Sequence, residues 1–386
     1  MKILFCNYEY PPLGGGGGVI NALLAEELAG RHEVTVLTSQ GLGLPAESVV
    51  NGVRIVRVPV FFRSQQAAAN VPSMLAYLPM GMAAGKRLIR TIRYDVINTH
   101  FVLPTGPVGD ALARYGNIPH VLSLHGGDLY DPSKWMSPHR HFVLRTWVTR
   151  LLRRADRLVG QSRNTIENIH KYYDSSLSVA RIPLGIRRPS VEVAARADYG
   201  FTDDQVLLVT VGRLVARKAV DQLISVLKDA GRPDAHLVIV GSGPQEQALR
   251  QKAAELGLAE RVHFRGQASE RDKLRLLQMS DIFVSTSQHE GFGLVFLEAM
   301  ASGLPVVCYG YGGQTDFLVD GVTGHVVPLN DVALFAERCR RLISDPEAIR
   351  RIGADNRVRV EELYIDECAR QYEQLFEDLI RKQPVR

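Results

Sequence analysis

The sequence predicts an α/β protein built from two Rossmann-like domains, each a parallel sheet covered on both faces by helices. Three observations predict it. The chain has 386 residues, more than a single hydrophobic core usually serves. Short β-branched apolar runs alternate with helical patterns along its length, as parallel strands joined by crossover helices require. That alternation breaks once, near Gly185, and then restarts.

In order, KILFC (2–6) reads as a strand, followed by a glycine loop and the helix VINALLAEELAG (19–30). EVTVLTS (33–39) and VRIVRVP (53–59) are strands. A helix near 74–93 precedes the strand DVINTH (95–100), and a helix near 106–115 precedes HVLSLHG (120–126). A long arginine-rich helix near 139–155 leads into RLVG (157–160), and SVARIP (178–183) closes this half. The stretch from Gly185 to Gln205 has no steady period and reads as a linker. The second series of strands is VLLVTV (206–211), HLVIVG (236–241), RVHFRG (261–266), DIFVST (281–286), PVVCY (305–309) and GHVVP (324–328). YIDECARQYEQLFEDLIRK (364–382) is a capping helix. The expected organisation is therefore 1–184, 185–363 and a closing helical stretch, 364–386. In open α/β sheets ligands bind outside the carboxyl ends of the strands, so a cleft between two such edges is the expected site.

Hydrophobic residues make up 46% and charged residues 23% of the chain, as in ordinary globular enzymes. The apolar run Ile3 to Cys6 is ended by Asn7 too early for a signal peptide. The longest uncharged window, Ser64 to Gly85, carries Gln65, Gln66, Asn70, Pro72 and Pro79 and makes a poor membrane span. Cys6, Cys308, Cys339 and Cys368 form no C-x-x-C; buried free thiols in a reducing cytoplasm are expected. Charge is uneven. Residues 1–182 hold 20 Lys and Arg against 12 Asp and Glu, a net of +8, and the remainder 26 against 29, a net of −3. The basic half suits either an anionic partner or membrane surface, or is a solvated face with no partner. No nucleic acid is expected as a partner.

The run EGFGLVFLEAM (290–300) places Glu290 and Glu298 on either side of a turn and a short helix. Gly291 and Gly293 permit close backbone approach. A helix starting near Leu294 and Val295 turns free N–H groups and the positive end of its dipole towards that approach, an anion site. Glu298, a turn further on, suits a ribose diol, and Glu290 suits sugar hydroxyls. Ribose, diphosphate and sugar would fit in one line. A surface Glu290 and a salt-bridged Glu298 would produce the same pattern.

Written E-G-F-G-L-V-x-L-E-A-M-A-S-G-x-P-V-V, the run from Glu290 to Val307 resembles the signature of retaining GT-B glycosyltransferases of family four. The resemblance extends to the N-terminal glycine loop, HGGD (125–128), VGRLVARK (211–218) and GGQTDFLVDGVTGHVVP (312–328). It implies two facing Rossmann-like domains with a C-terminal helix returning across the cleft. It also implies a nucleotide-sugar donor in the second domain, a saccharide or lipid-linked acceptor in the first, and no metal or other cofactor. Arg213 and Lys218 are then the cations on the donor diphosphate. The family usually has Lys-Gly where Lys218 precedes Ala219. Gly15 and Gly16, in a loop that is not a P-loop, approach donor phosphate and acceptor. His125 contacts a sugar hydroxyl or the acceptor, and Asp128 orients acceptor hydroxyls. Gly266 and Gln267 flank the base, Phe292 completes the donor loop, and Asp316 is a further donor-side candidate. His100 and His289 read as structural. The sequence holds no D-x-D, H-E-x-x-H or cysteine–histidine cluster.

The function so implied is retaining transfer of a sugar from a UDP- or GDP-sugar, in bacterial cell-envelope polysaccharide or glycolipid synthesis, by a cytoplasmic enzyme, with peripheral membrane contact an open alternative. A sugar-nucleotide epimerase of similar fold, or a non-catalytic sugar-binding subunit, are the rival readings. Turnover of donor without acceptor would mark the first, and inactivity of the purified chain the second.

Overall fold

The structure is a computed structural model that describes residues 1–41, 43–61, 70–191 and 194–382. Residues 64–69 of the uncharged window, 192 and 193 of the linker, and 383–386 lie outside that set. The chain divides into two compact units, Met1–Arg187 with Tyr364–Arg386, and Arg188–Leu363.

The first unit carries β1 (Lys2–Cys6), β2 (Glu33–Gln40), β3 (Glu47–Val50), β4 (Val53–Pro59), β5 (Val96–His100), β6 (His120–Leu124), β7 (Arg157–Gly160) and β8 (Val179–Arg181). They form one sheet in the order β3-β4-β2-β1-β5-β6-β7-β8. Only β3 runs antiparallel, against β4. β5 and β6 are buried at every position and β1 at all but its first, which is why they read as unbroken apolar runs. The helices are α1 (Gly16–Ala29), α2 (Val71–Thr91), α3 (Gly106–Gly116), α4 (Phe142–Arg154) and α5 (Arg163–Tyr172). One core gathers Tyr8, Tyr77, Val108 and Leu112, and another Leu122, Val148, Leu151 and Leu158. α1 begins inside the glycine run, ahead of the expected Val19. The run allows tight packing there: a Cβ on Gly17 would lie 2.2 Å from Phe101 Cζ.

The second unit carries β9 (Val206–Val211), β10 (Ala235–Val240), β11 (Val262–Phe264), β12 (Ile282–Ser285), β13 (Val306–Tyr309) and β14 (Gly324–Val327). They pair in parallel in the order β11-β10-β9-β12-β13-β14. Its helices are α6 (Val220–Ala230), α7 (Glu246–Glu255), α8 (Glu270–Gln278), α9 (Leu294–Ala301), α10 (Val332–Ile343) and α11 (Pro346–Arg359). Leu208, Ile224, Leu237, Val307, Phe335 and Cys339 are among the residues of its core.

The last helix, α12 (Ile365–Arg381), belongs to the first unit and packs on α1. It buries Tyr372 and Phe376. The Tyr372 hydroxyl donates to Ser123 Oγ at 3.0 Å, and Glu373 meets His32 Nε2 at 2.6 Å. The chain passes between units twice, and both passages start side by side: Ile186 bridges Tyr364, and Ile365 N–H donates to Ile186 O at 2.8 Å. A Cβ on Gly185 would lie 2.6 Å from the Tyr364 carbonyl.

All four cysteines are free and buried; burial pushes the Cys6 and Cys368 thiols up to about 12. Among the described residues no helix is long and apolar enough to cross a membrane.

Candidate functional site

A ligand crevice in an open parallel sheet lies where the strand order reverses. In the second unit that place is between β9 and β12. The loop after β9 passes through a single 3-10 turn, Ala216–Lys218, into α6, and the loop after β12 runs through Glu290 into α9. Lys218 Nζ donates to Glu290 Oε1. Arg217 Nη1 lies 3.7 Å from Glu290 Oε2 and donates to the His289 carbonyl. Burial pushes the Glu290 carboxyl up, but Lys218 and Arg217 outweigh it and hold the group below its ordinary value. The Glu290 backbone is fixed as well, its carbonyl accepting Gly313 N–H at 2.8 Å.

Gly293 caps α9 at φ 91°, the left-handed region, and a Cβ there would lie 2.4 Å from the Phe296 ring. Leu294 and Val295 then begin the helix, whose first N–H groups have no intrahelical carbonyl to bond. The Phe292 ring is buried and packs on Phe317, 5.1 Å between centroids, so what the loop turns outward there is backbone. Glu298 is engaged: Lys273 Nζ, from α8, donates to its Oε1 at 2.8 Å and to Glu270 at 2.7 Å. Burial works against the Lys273 charge, and the two carboxylates outweigh it, raising its pKa. The salt-bridged reading of Glu298 is thus the one present in this structure. Gly266 sits at φ 63° and its carbonyl accepts Gly241 N–H at 2.7 Å, with Gln267 exposed beyond it. Asp316 ends a 3-10 turn, Gly313–Asp316, and is half-buried.

Arg213 and Lys218 have different surroundings in this unit: Lys218 meets Glu290, with Arg217 beside it, while Arg213 is exposed and makes no ion pair among the described residues. The turn of three residues, Ala216 to Lys218, decides which side chains return to the sheet. Ala219 adopts φ 45° and ψ 39°, a left-handed conformation that glycine takes without strain, which accounts for the usual glycine after the lysine.

In the first unit the order reverses between β1 and β5. Gly15 caps α1 there and donates its N–H to Glu9 Oε2 at 3.2 Å. A Cβ on Gly15 or Gly16 would meet nothing within 4 Å, so the packing of this unit leaves room beside both. His125, directly after β6, hydrogen-bonds His100 Nδ1 through Nε2 at 2.9 Å and stacks on Phe101 at 4.3 Å. Burial pushes it down to about 4, leaving a neutral ring at pH 7. Asp128 accepts backbone N–H bonds from Val102 at 2.7 Å and His125 at 3.1 Å. Its oxygens clasp the loops after β5 and β6. Burial pushes its carboxyl up to about 6.

Sequence reading missed Arg217, Lys273 and Phe101. Phe101 holds φ 68° between Gly17 and His125, backbone strain of a kind that gathers at functional sites. Among the described residues no group of three or more His, Cys, Asp or Glu is placed to hold a metal ion.

The chain resembles known proteins over nearly its whole length. Residues 14–188 match the family described as Glycosyltransferase Family 4, and residues 192–359 that described as Glycosyl transferases group 1. The chain is 30% identical to a glycogen synthase of Mycobacterium tuberculosis, over 93% of this chain and 90% of that one. It is 29% identical to a GDP-mannose-dependent alpha-(1-6)-phosphatidylinositol monomannoside mannosyltransferase of Mycolicibacterium smegmatis, over 92% of each. Among solved structures, sucrose-phosphate synthase from Thermosynechococcus elongatus matches its fold with a TM-score of 0.86 at 24% identity, over 99% of this chain and 100% of that one. Two parallel-sheet Rossmann-like units with these loops make it a glycosyltransferase of the GT-B fold. More narrowly, the chain belongs to glycosyltransferase family 4.

Proposed function

We propose that this protein transfers a sugar, with retention of anomeric configuration and without a metal, from a UDP- or GDP-sugar to a saccharide or lipid-linked acceptor. The setting proposed is bacterial cell-envelope polysaccharide or glycolipid synthesis, in the cytoplasm, with peripheral contact on the inner face of the membrane. The observation that carries the reading is the Lys218–Glu290 pair outside the carboxyl ends of β9 and β12. The ammonium suits a diphosphate and the carboxylate suits sugar hydroxyls. A donor that binds both replaces their mutual charge with its own.

In the reaction the bond from the anomeric carbon to the β-phosphate oxygen breaks, and charge grows on the leaving diphosphate. Lys218, Arg213 and the first N–H groups of α9 stabilise it in place of a cation. No carboxylate is assigned as nucleophile, so the acceptor hydroxyl attacks on the face the leaving group vacates. The departing phosphate oxygen takes the acceptor proton. Glu290 holds the sugar, Glu298 the ribose, and Gly266 with Gln267 the base. Gly291, Phe292, Gly293, Leu294 and Val295 supply backbone to the phosphates. Gly15 and Gly16 serve donor and acceptor, and His125 and Asp128 shape the acceptor side.

The test is thermal unfolding with UDP, GDP and ADP, since a bound ligand raises apparent stability by mass action. Transfer is then followed in EDTA and the product anomer read by NMR. Stabilisation by UDP or GDP and a retained anomer are expected. Failure of every nucleotide to stabilise the chain overturns the donor site, an inverted product overturns retention, and loss of activity in EDTA overturns metal independence.

A further inference from the structure

The chain has two tryptophans, and both stand exposed on one part of the first unit. Trp135 is 73% exposed and Met136 52%, on the loop before α4. Phe142 is 73%, Val143 76% and Trp147 37% exposed, on α4 itself. Five large apolar side chains within thirteen consecutive residues are too many to be scattered surface exceptions.

Helix packing does not explain them. α4 buries Val148, Leu151 and Leu152 against the core of its unit. At about 100° per residue, Phe142, Val143, Thr146, Trp147 and Arg150 share the opposite face, where an ordinary surface helix is polar. Nor are they the tips of a loose loop. Asp131 N–H donates to Ser137 Oγ at 3.0 Å, and Ser137 Oγ meets His139 Nδ1 at 2.8 Å. His141 Nε2 meets the Trp135 carbonyl at 2.8 Å, with the Trp135 and His141 rings edge to face at 5.0 Å. The loop is built to hold Trp135 beside the start of α4.

The charge around this patch has one sign. From Pro132 to Ala155 there are six Lys and Arg and no Asp or Glu. Lys134 pairs with Asp131, Arg153 with Asp174 and Arg154 with Asp110. Arg140, Arg145 and Arg150 have no ion pair among the described residues. Tryptophan places an apolar ring and a polar N–H at one level, which suits the boundary between headgroups and acyl chains.

We propose that this surface docks the first unit on an anionic bilayer. Trp135, Met136, Phe142, Val143 and Trp147 enter the interface, and Arg140, Arg145 and Arg150 meet lipid phosphates. A second copy of the chain would bring the same positive charge against the patch, whereas a lipid surface brings the opposite one. The proposal places membrane contact here and not at another basic stretch of this unit, Lys86, Arg87, Arg90 and Arg93 at and just after the end of α2. In that stretch Arg90 Nε already donates to the Tyr115 hydroxyl at 2.8 Å. It deepens the membrane part of the proposed function and rests on that part alone. Sugar transfer is assayed separately in solution, so the two fail independently.

Because no tryptophan lies elsewhere, the protein's own fluorescence reports the contact. The full chain is titrated with vesicles of phosphatidylcholine alone and of phosphatidylcholine with phosphatidylglycerol. With the anionic vesicles, emission is expected to shift to the blue and to be quenched by brominated acyl chains; Trp135→Phe and Trp147→Phe each retain part of the shift. Arg145→Gln combined with Arg150→Gln is expected to lower partition at low salt roughly 10-fold or more. Vesicle binding without a tryptophan shift overturns the assignment and returns the contact to another basic face. Equal binding to both vesicle types overturns the anionic commitment. A blue shift that rises with protein concentration without lipid assigns the patch to a second copy, and no vesicle response at low salt overturns the proposal outright.

Discussion

Lys218 and Glu290 form an ion pair across 72 positions of sequence, with side chains 17% and 11% exposed. It ties together the loops that follow β9 and β12, and its charges are shielded enough to register in stability. Because Glu290 is held below its ordinary value, the pair stabilises the fold fully above about pH 4.3, the ordinary glutamate value. That contribution is lost as pH falls through the lower folded value. Glu290→Gln should therefore cost about 3 kcal/mol at most at pH 7, and progressively less below pH of about 4.3. Thermal midpoints of both proteins across pH check this, and a gap that stays constant into acid would refute it.

The three cations of the β9 loop should separate by readout. Lys218→Ala is expected to lower kcat roughly 100-fold or more, as loss of one stabiliser of a leaving group does. Arg213→Ala, at an exposed position, should lower kcat without moving the unfolding midpoint. Arg217→Ala should lower the midpoint too, since it holds the His289 carbonyl and stands beside Glu290. Steady-state kinetics beside urea unfolding distinguish them; Arg213→Ala with unchanged kcat would remove that residue from the mechanism.

Glu298→Gln should weaken UDP or GDP binding about 10-fold, the worth of a charge-assisted hydrogen bond. Because Lys273 donates to the same carboxylate, Lys273→Met should weaken binding as well, and the double variant should fall short of the sum. Calorimetric titration of the four proteins gives the coupling. Unchanged affinity in Glu298→Gln would dismiss the ribose contact.

Ala219 offers a stabilising change. Its left-handed backbone carries strain that glycine relieves, partly offset by the freer unfolded chain. Ala219→Gly is expected to raise stability by up to about 1 kcal/mol, with kcat within a few-fold of the parent. A fall in the urea midpoint would show that the alanine methyl, buried in this unit, matters more than the strain.

Most strands were legible because they are buried on both faces and so written as unbroken apolar runs, Val206 to Val211 above all. β3 was not: ESVV is an exposed antiparallel edge of four residues, with too little burial to leave a pattern. α5 also went unread, its polar RNTIENIHKY announced only by the Ser162 cap that accepts Thr165 N–H. Glu290, Glu298 and Lys218 were legible as chemistry, from a specific run and a loop lysine. Their partners were not. That Lys218 meets Glu290 depends on β9 and β12 being neighbours in the sheet, and strand order is not written in either segment. Lys273 stands in ERDKLRLLQ, which reads as surface helix, until α8 is laid beside α9.

The first unit is assembled from both ends of the chain, and this fixes an order of events on the ribosome. Met1–Arg187 emerges first but lacks α12, which delivers Tyr372 and Phe376 and covers α1. The second unit, unbroken from Arg188 to Leu363, is complete while the first still waits. At about 5–20 residues per second, the wait is on the order of tens of seconds. During it a nascent chain with every motif already synthesised carries an apolar face that α12 has yet to cover. A premature stop just before Tyr364 would leave the whole donor loop set intact and still abolish the protein, because the half made first is the half finished last.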